Sequence, residues 1–348
     1  MPSVLHVLPH PGGGGETYVD LLDDMPGYEH RRVALSPGPS PLRAVPAIVR
    51  RWRGIAREAA AVDIVHVHGD VTAALSVALL RRHRGVITSH GLSRLRRIGR
   101  FARPFFVAAL RAAVGSALVT ICTSEAEREE LCVLLEPGLR ERLVVVFNGV
   151  SAAPVSSPRR REETRAGLGV SGEEVLFLFV GGLEAGKGPL EAIAAAQAVA
   201  EQGLPVVLAL AGDGPLAGAV GAAAGPAVRP LGFRSDVQLL LEAADVFVLP
   251  SAREGLSFAL LEAMAWGLPA VVCHGSGNPE VVGEAGLVVA LDDPSALAEA
   301  FRRLIGDAAL RVRLGAAARE RAVREFGVEV FLERTRAIYE HVLDSASR

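Results

Sequence analysis

Twelve short runs of β-branched and aliphatic residues alternate with Ala/Leu-rich stretches of helical spacing, and this alternation decides the fold class. The runs are 3–8, 31–36, 63–68, 86–89, 117–122 and 143–147 in the first half. In the second they are 175–181, 205–211, 228–231, 245–249, 270–273 and 286–290. Runs that are apolar almost throughout need cover on both faces, which helices between parallel strands supply. The class is therefore α/β, and because the pattern runs twice it predicts two Rossmann-like, doubly wound parallel-sheet lobes. The seam is 151–172, with its serines, prolines and arginine run; the linker falls near 151–158 and a helix opens the second lobe. The 348 residues suit two domains of roughly 150 each. Ligands of such sheets bind beyond the carboxyl ends of the strands, so two lobes facing each other would share one cleft.

Charge is unevenly spread. Residues 1–150 hold 19 arginines against 14 acidic residues, whereas 151–348 hold 18 basic and 25 acidic ones. The first half is the better surface for an anionic partner. The three cysteines, Cys122, Cys132 and Cys273, show no metal-ligand spacing and sit in apolar runs, which fits a reducing compartment. The N-terminus starts directly with a strand pattern and has no positive n-region, so no signal peptide is expected. Arg111 and Gly115 interrupt the apolar stretch 104–122, which reads as a buried helix and a strand. These signs point to a cytoplasmic protein.

Two motif matches fail on context. GLGVSG at 167–172 follows a helical segment and precedes a strand, the reverse of a dinucleotide-binding turn. GGLEAGKG at 181–188 lacks the Ser/Thr that holds magnesium in a P-loop. Other turns after strands carry chemistry. Gly12–Gly15 and Glu16 lead into a helix whose free N–H groups suit a diphosphate or sugar oxygens, the alternative being a plain flexible turn. Lys187 is the only lysine in the chain, and it stands in a glycine-rich turn after a strong strand. A compact ammonium there suits a phosphate. ALAGDGP at 209–215 is another strand-to-glycine turn; it can line a nucleobase pocket, with Asp213 read as a turn residue.

The segment 250–269 says most. Ser257 is a candidate N-cap, and Gly267 with Pro269 ends the helix. Glu254 lies in the loop before it. Glu262 lies inside a helix that is apolar nearly all round, so its carboxylate needs partners. Ribose hydroxyls or a structural ion pair would supply them. His90 ends a strand, with Gly91 after it, and can bond a sugar hydroxyl. His66 and His68 read as structural strand residues. Between Arg94 and Arg103, five arginines interleave with Leu95, Ile98 and Phe101. That pattern fits peripheral contact with the inner membrane face, an anionic acceptor, or a solvated helix face.

Taken in order, GGGGE at 12–16, HG at 90–91, TSE at 123–125, NGV at 148–150, VGGLEAGKG at 180–188, AGDGP at 211–215, LGF at 231–233, DVFVLPS at 245–251, the pair Glu254/Glu262, MAWGLP at 264–269 and NPE at 278–280 resemble the retaining GT-B glycosyltransferases of family 4. The resemblance covers nearly the whole chain. It implies an N-terminal acceptor-side lobe at 1–152, a donor lobe at 153–327, and a last helix, about 328–348, that returns to the first lobe. It implies transfer of a sugar from a UDP- or GDP-sugar to an acceptor sugar, glycolipid or small molecule, with no metal and no other cofactor; no DxD-type metal motif is present. Nucleic acid is not expected as a partner. The residues it assigns to the donor are Gly14, Gly15, Glu16, Gly182, Lys187, Gly212, Gly214, Glu254, Gly255, Leu256, Ser257, Glu262, Gly277 and Asn278. His90, Glu254 and Lys187 would be catalytic: Lys187 at the diphosphate, Glu254 and His90 at the transferred sugar, and Glu262 at the ribose. The ammonium is expected beside the Glu254/Glu262 couple and not in bulk solvent.

Two positions depart from the family pattern. Many relatives carry Arg where this chain has Gly182, leaving Lys187 alone with the diphosphate unless Arg253 or another Arg substitutes. The usual glycine pair before PE reads Ser276–Gly277–Asn278. A catalytically weak sugar-nucleotide-binding partner subunit and a sugar-nucleotide epimerase on the same fold are the competing readings.

Overall fold

The structure is a computed structural model that describes residues 1–36, 45–92, 95, 98–252, 254–275, 277–291 and 293–345, with backbone alone for 45–50. It divides into two compact units, Met1–Gly149 with Val328–Arg348, and Val150–Gly327.

The first unit is built on β1 (Ser3–Leu8), β2 (Glu29–Ala34), β3 (Ile64–His68), β4 (Gly85–Thr88), β5 (Val119–Cys122) and β6 (Leu143–Val145). All are parallel, in the order β2-β1-β3-β4-β5-β6. β1, β3, β4 and β5 are buried at every residue, the pattern of strands covered on both faces, whereas the edge strand β2 alternates. The apolar stretch near 104–122 is the helix Arg103–Ser116 followed by β5. No helix among the described residues is long and apolar enough to cross a membrane.

The helix Val328–Asp344 belongs to this unit. Phe331 packs edge-to-face on Tyr18, with ring centroids 4.8 Å apart. The Tyr339 hydroxyl lies 2.8 Å from His66 Nδ1. Gly149 explains the glycine of the NGV motif. A Cβ there would lie 2.8 Å from Phe331 Cβ, so the last helix lies against bare backbone.

The second unit is built on β7 (Val175–Val180), β8 (Val206–Ala211), β9 (Val228–Gly232), β10 (Val246–Leu249), β11 (Ala270–Cys273) and β12 (Gly286–Val289). The order is β12-β11-β10-β7-β8-β9, again parallel throughout. The helix Pro158–Gly167 opens it, capped by Ser157. Its arginines act as staples. Arg160 pairs with the buried Glu242 at 2.9 Å. Arg161 Nη1 donates to the carbonyls of Glu242 and Ala244, both at 2.7 Å. Arg165 pairs with Asp245 at 2.8 Å, and Asp245 also accepts the Leu176 N–H. The arginine run thus fixes the opening helix to the starts of β7 and β10.

Substituting Gly149→Ala should lower stability by about 1–3 kcal/mol, the cost of overpacking. Urea denaturation would read it; an unchanged midpoint would mean that the helix at Phe331 yields without cost.

Candidate functional site

In the second sheet the chain winds outward from β7 through β8 to β9 on one side, then through β10 and β11 to β12 on the other. The reversal lies between β7 and β10. The carboxyl ends of these two strands are therefore where ligands of such a sheet are expected. The loop after β7 closes with the 3₁₀ turn Ala185–Lys187 and with Gly188 in the left-handed region, φ 72°. A Cβ on Gly188 would lie 2.4 Å from Pro250 O, so the loop lies on the end of β10. Ser251 Oγ and Ala252 N both donate to Gly186 O, at 3.0 and 3.1 Å.

This stitching brings Lys187 to Glu254. Nζ lies 2.6 Å from Oε1, with the side chains 28% and 14% exposed. The ammonium is therefore held at a carboxylate and not in bulk solvent. Glu262 makes no hydrogen bond or ion pair among the described residues, and burial raises its pKa above the usual carboxylate value. It sits in the helix Phe258–Ala265, whose N-cap Ser257 accepts the Leu260 N–H at 3.4 Å. Gly267, φ 78°, follows its end. Gly255, Leu256 and Ser257 are buried.

The turn after β8 completes this side. A Cβ on Gly212 would lie 1.9 Å from Gly181 O, and one on Gly214 would lie 2.7 Å from Leu183 O. Both glycines are demanded by backbone packing. Asp213 Oδ1 accepts the Gly214 N–H at 2.7 Å, which holds the turn. Gly182 differs: a Cβ there meets Glu184 Oε1 at 3.5 Å, Glu184 Cγ at 3.8 Å and the Asp213 carbonyl at 3.9 Å, ordinary contact. Gly277 and Asn278 are buried at the start of the helix Asn278–Val282. The Asn278 side chain is fully enclosed.

In the first unit, Gly12 and Gly13 take φ 85° and 79°, and the helix Gly14–Asp23 begins behind them. Glu16 Oε2 accepts the Gly12 N–H at 2.5 Å. As placed, Glu16 braces the loop and brings negative charge to the helix N-terminus.

His90 follows β4 with φ 54°, Gly91 has φ 94° and Leu92 φ 50°. Left-handed conformations of His and Leu cost energy and persist only where the surroundings hold them. Two buried carboxylates do so. Glu127 accepts the Gly91 N–H, together with the Thr123 N–H at 2.6 Å and the Thr123 hydroxyl at 3.0 Å. Asp70 Oδ2 accepts the Leu95 N–H at 3.0 Å. Glu127 escaped the motif reading, although Ser124-x-x-Glu127 has capping-box spacing and Ser124 does accept the Glu127 N–H. His6 and His30 were missed too; both join the hydrogen-bonded histidines behind His90. Burial holds His90 down to a pKa of about 4, and His6, His66 and His68 well below the free imidazole value.

Arg94, Arg96, Arg97, Arg253 and Ser276 lie outside the described residues. Of the basic segment, Phe101 and Phe105 are each 78% exposed, and the Arg100 guanidinium stands 4.6 Å above the Phe101 ring.

A doubly wound sheet with a switch point, a lysine–carboxylate pair beside it and a half-buried unpaired carboxylate make up a ligand-binding type of α/β unit. Residues 174–307 match the family described as glycosyl transferases group 1, and residues 5–153 match glycosyltransferase family 4. The alpha-maltose-1-phosphate synthase of Mycobacterium tuberculosis is 32% identical over 318 residues, covering 83% of this chain and 81% of that one. The chain therefore belongs to the group 1, family 4 glycosyltransferases. Among solved structures, a sucrose-phosphate synthase from Thermosynechococcus elongatus has a TM-score of 0.80 at 21% identity, covering 99% of this chain and 100% of that one. Anabaena HepE in complex with UDP-glucose has 0.80 at 19%, covering 97% and 99%. Both share the GT-B fold.

The neutral histidines give a signed pH dependence. Below about pH 6.5 the unfolded chain takes up protons that the native one refuses. Their contribution is complete above that pH and drains as pH falls toward 4. Gln in place of His66 can still meet Tyr339 and Thr88. His66→Gln should reduce the slope of unfolding free energy between pH 5 and 6 by up to about 1.4 kcal/mol per pH unit. Urea denaturation across that range measures it, and equal slopes would mean that burial does not keep this imidazole neutral.

Proposed function

We propose that this protein transfers a sugar from a UDP- or GDP-sugar to an acceptor sugar, glycolipid or small molecule in the cytoplasm, retaining anomeric configuration and using no metal. The observation that carries the reading is the Lys187–Glu254 pair at the β7/β10 switch point, 2.6 Å apart. A diphosphate arriving there meets a fixed ammonium already oriented by a carboxylate. Glu262, half-buried and unpaired among the described residues, has the acceptor capacity that two ribose hydroxyls require. HepE, the structural neighbour in complex with UDP-glucose, supports the donor class.

The chemistry follows from the charges. The acceptor oxygen bonds to the anomeric carbon as the bond from that carbon to the diphosphate oxygen breaks. Attack on the same face retains configuration without a protein nucleophile, and the acceptor proton passes to the departing phosphate oxygen. Charge grows on the diphosphate, so Lys187 contributes most as the bond breaks. Glu254 orients Lys187 and offers an acceptor to sugar hydroxyls. Within 277–280, the backbone amides of Gly277, Asn278 and Glu280 cap sugar hydroxyls or phosphate, Pro279 having no N–H. In the first unit, His90 bonds a sugar hydroxyl, and the helix start at Gly14 and Gly15 offers free amides. Arg100, Arg103, Phe101 and Phe105 supply the described part of a peripheral membrane or anionic-acceptor patch.

A second reading is a weak sugar-nucleotide-binding partner: the family resemblance implies an Arg at the position of Gly182. Lys187→Ala should cut kcat/KM for donor hydrolysis or transfer about 10²–10³-fold. A wild-type chain that binds sugar nucleotides yet turns none over would favour the second reading. Gly182 has room for a side chain and an ordinary backbone. Gly182→Arg should fold normally and raise kcat/KM roughly tenfold through a new charge-assisted bond; no gain would show that the site is complete without it. A thermal-shift panel tests the donor: a nucleotide at about 100 times its dissociation constant adds about 2.7 kcal/mol. Silence from every UDP, GDP and ADP species would overturn the donor assignment.

A further inference from the structure

Four imidazoles stand in a row across the first sheet. His30 is on β2, His6 on β1, His68 on β3 and His90 just past β4, so the row follows the strand order β2-β1-β3-β4. His30 Nδ1 lies 2.9 Å from His6 Nε2, His6 Nδ1 lies 2.9 Å from His68 Nε2, and His68 Nδ1 lies 3.0 Å from His90 Nε2. His66 lies beside the row and bonds elsewhere, to Tyr339 and to Thr88 at 2.7 Å.

A neutral imidazole has one N–H and one lone pair. His6 and His68 spend both nitrogens inside the row, so each donates on one side and accepts on the other. The row is therefore polarised end to end, and only two arrangements exist. In one, every N–H points toward His90, which then carries its own proton on Nδ1. In the other, every N–H points toward His30, and His90 Nδ1 is bare. The far end decides between them. His30 Nε2 is buried without a hydrogen-bond partner. An unpaired buried acceptor is tolerated more readily than an unpaired buried N–H. The arrangement with a bare His30 Nε2 is the one with a proton on His90 Nδ1.

A metal is the obvious rival, since His6, His66 and His68 offer ligand nitrogens within 4.8 Å of one another. Every nitrogen of these three rings already has a partner, so ligation would break hydrogen bonds that the fold has made.

We propose that His30, His6 and His68 are positioning residues that fix His90 as its Nδ1–H tautomer, presenting a hydrogen-bond donor to an oxygen of the transferred sugar. This rests on the reading of His90 as a sugar-facing residue. The tautomer of the outermost ring is set from the opposite edge of the row through three hydrogen bonds, so a change at His30 reaches His90 without touching it.

Nitrogen NMR of protein labelled with 15N-histidine, at about pH 8.5 where the rings are neutral, tests this directly. Wild type should show a protonated Nδ1 and a bare Nε2 at His90; the reverse overturns the proposal without any variant. An aspartate at position 30 can only accept, so His30→Asp should reverse the row and leave His90 Nδ1 bare. Asparagine can donate, so His30→Asn should keep the wild-type tautomer. Transfer activity should fall roughly tenfold in His30→Asp and stay within about twofold in His30→Asn. A merely structural histidine would shift melting temperature in both variants and leave the His90 tautomer alone, which also overturns the proposal. Full activity in His90→Ala would instead overturn the reading of His90 and leave the tautomer result standing.

Discussion

A strand covered on both faces has no route to water except at its ends, and this constraint organises both units. Side chains along β7, β8, β10 and β11 are buried without exception or nearly so, and they carry no ionisable group apart from the Cys273 thiol. Chemistry is pushed to the carboxyl ends, where the order of winding reverses between β7 and β10. Lys187 and Glu254 stand at that point because their strands are neighbours, although 67 residues separate them in the chain. The glycines around them answer a packing demand: Gly188, Gly212 and Gly214 let three loop backbones come closer than any Cβ would allow.

The same constraint acts inside the first sheet with the opposite result. β1 and β3 do carry polar side chains in their buried interiors, His6, His66 and His68. A buried polar group must find partners within the protein. These find one another, Tyr339, Thr88 and His90. The last helix, drawn close by Gly149, supplies Tyr339. Packing of a chain terminus and satisfaction of a strand histidine are thus one arrangement, and the strained loop after β4 is held by a histidine contact as well as by Glu127 and Asp70.

The strands were legible because uninterrupted apolar runs have few alternatives; their ends moved by one or two residues. The helix of 258–265 was legible from Ser257 and Gly267, and the carboxylate inside it stood out against apolar neighbours. What the sequence concealed depends on neighbours far along the chain. His6, His30, His68 and His90 follow no common spacing, and only the sheet order sets them in line. The arginines at 160, 161 and 165 looked like part of a polar seam, yet their partners are Glu242 and Asp245, some eighty residues away. Glu127 gave a local capping signal, but its reach to Gly91 is a tertiary fact.

The lysine–carboxylate pair also limits how the site can work. Two opposite charges mostly withdrawn from water hold each other, and a partly buried ammonium without its carboxylate would be costly. On the proposed function, a diphosphate would have to share Lys187 with Glu254 or draw it away. Sharing favours a ligand whose sugar hydroxyls can satisfy the carboxylate as the phosphate takes part of the ammonium. A bare diphosphate brings negative charge beside Glu254 with nothing to donate to it, and so gains less. An intact sugar nucleotide would satisfy both members of the pair, and cleavage of its glycosyl bond would remove that advantage. On the proposed function, this one contact of 2.6 Å would discriminate substrate from product, through the side chain of Glu254 as much as through the lysine.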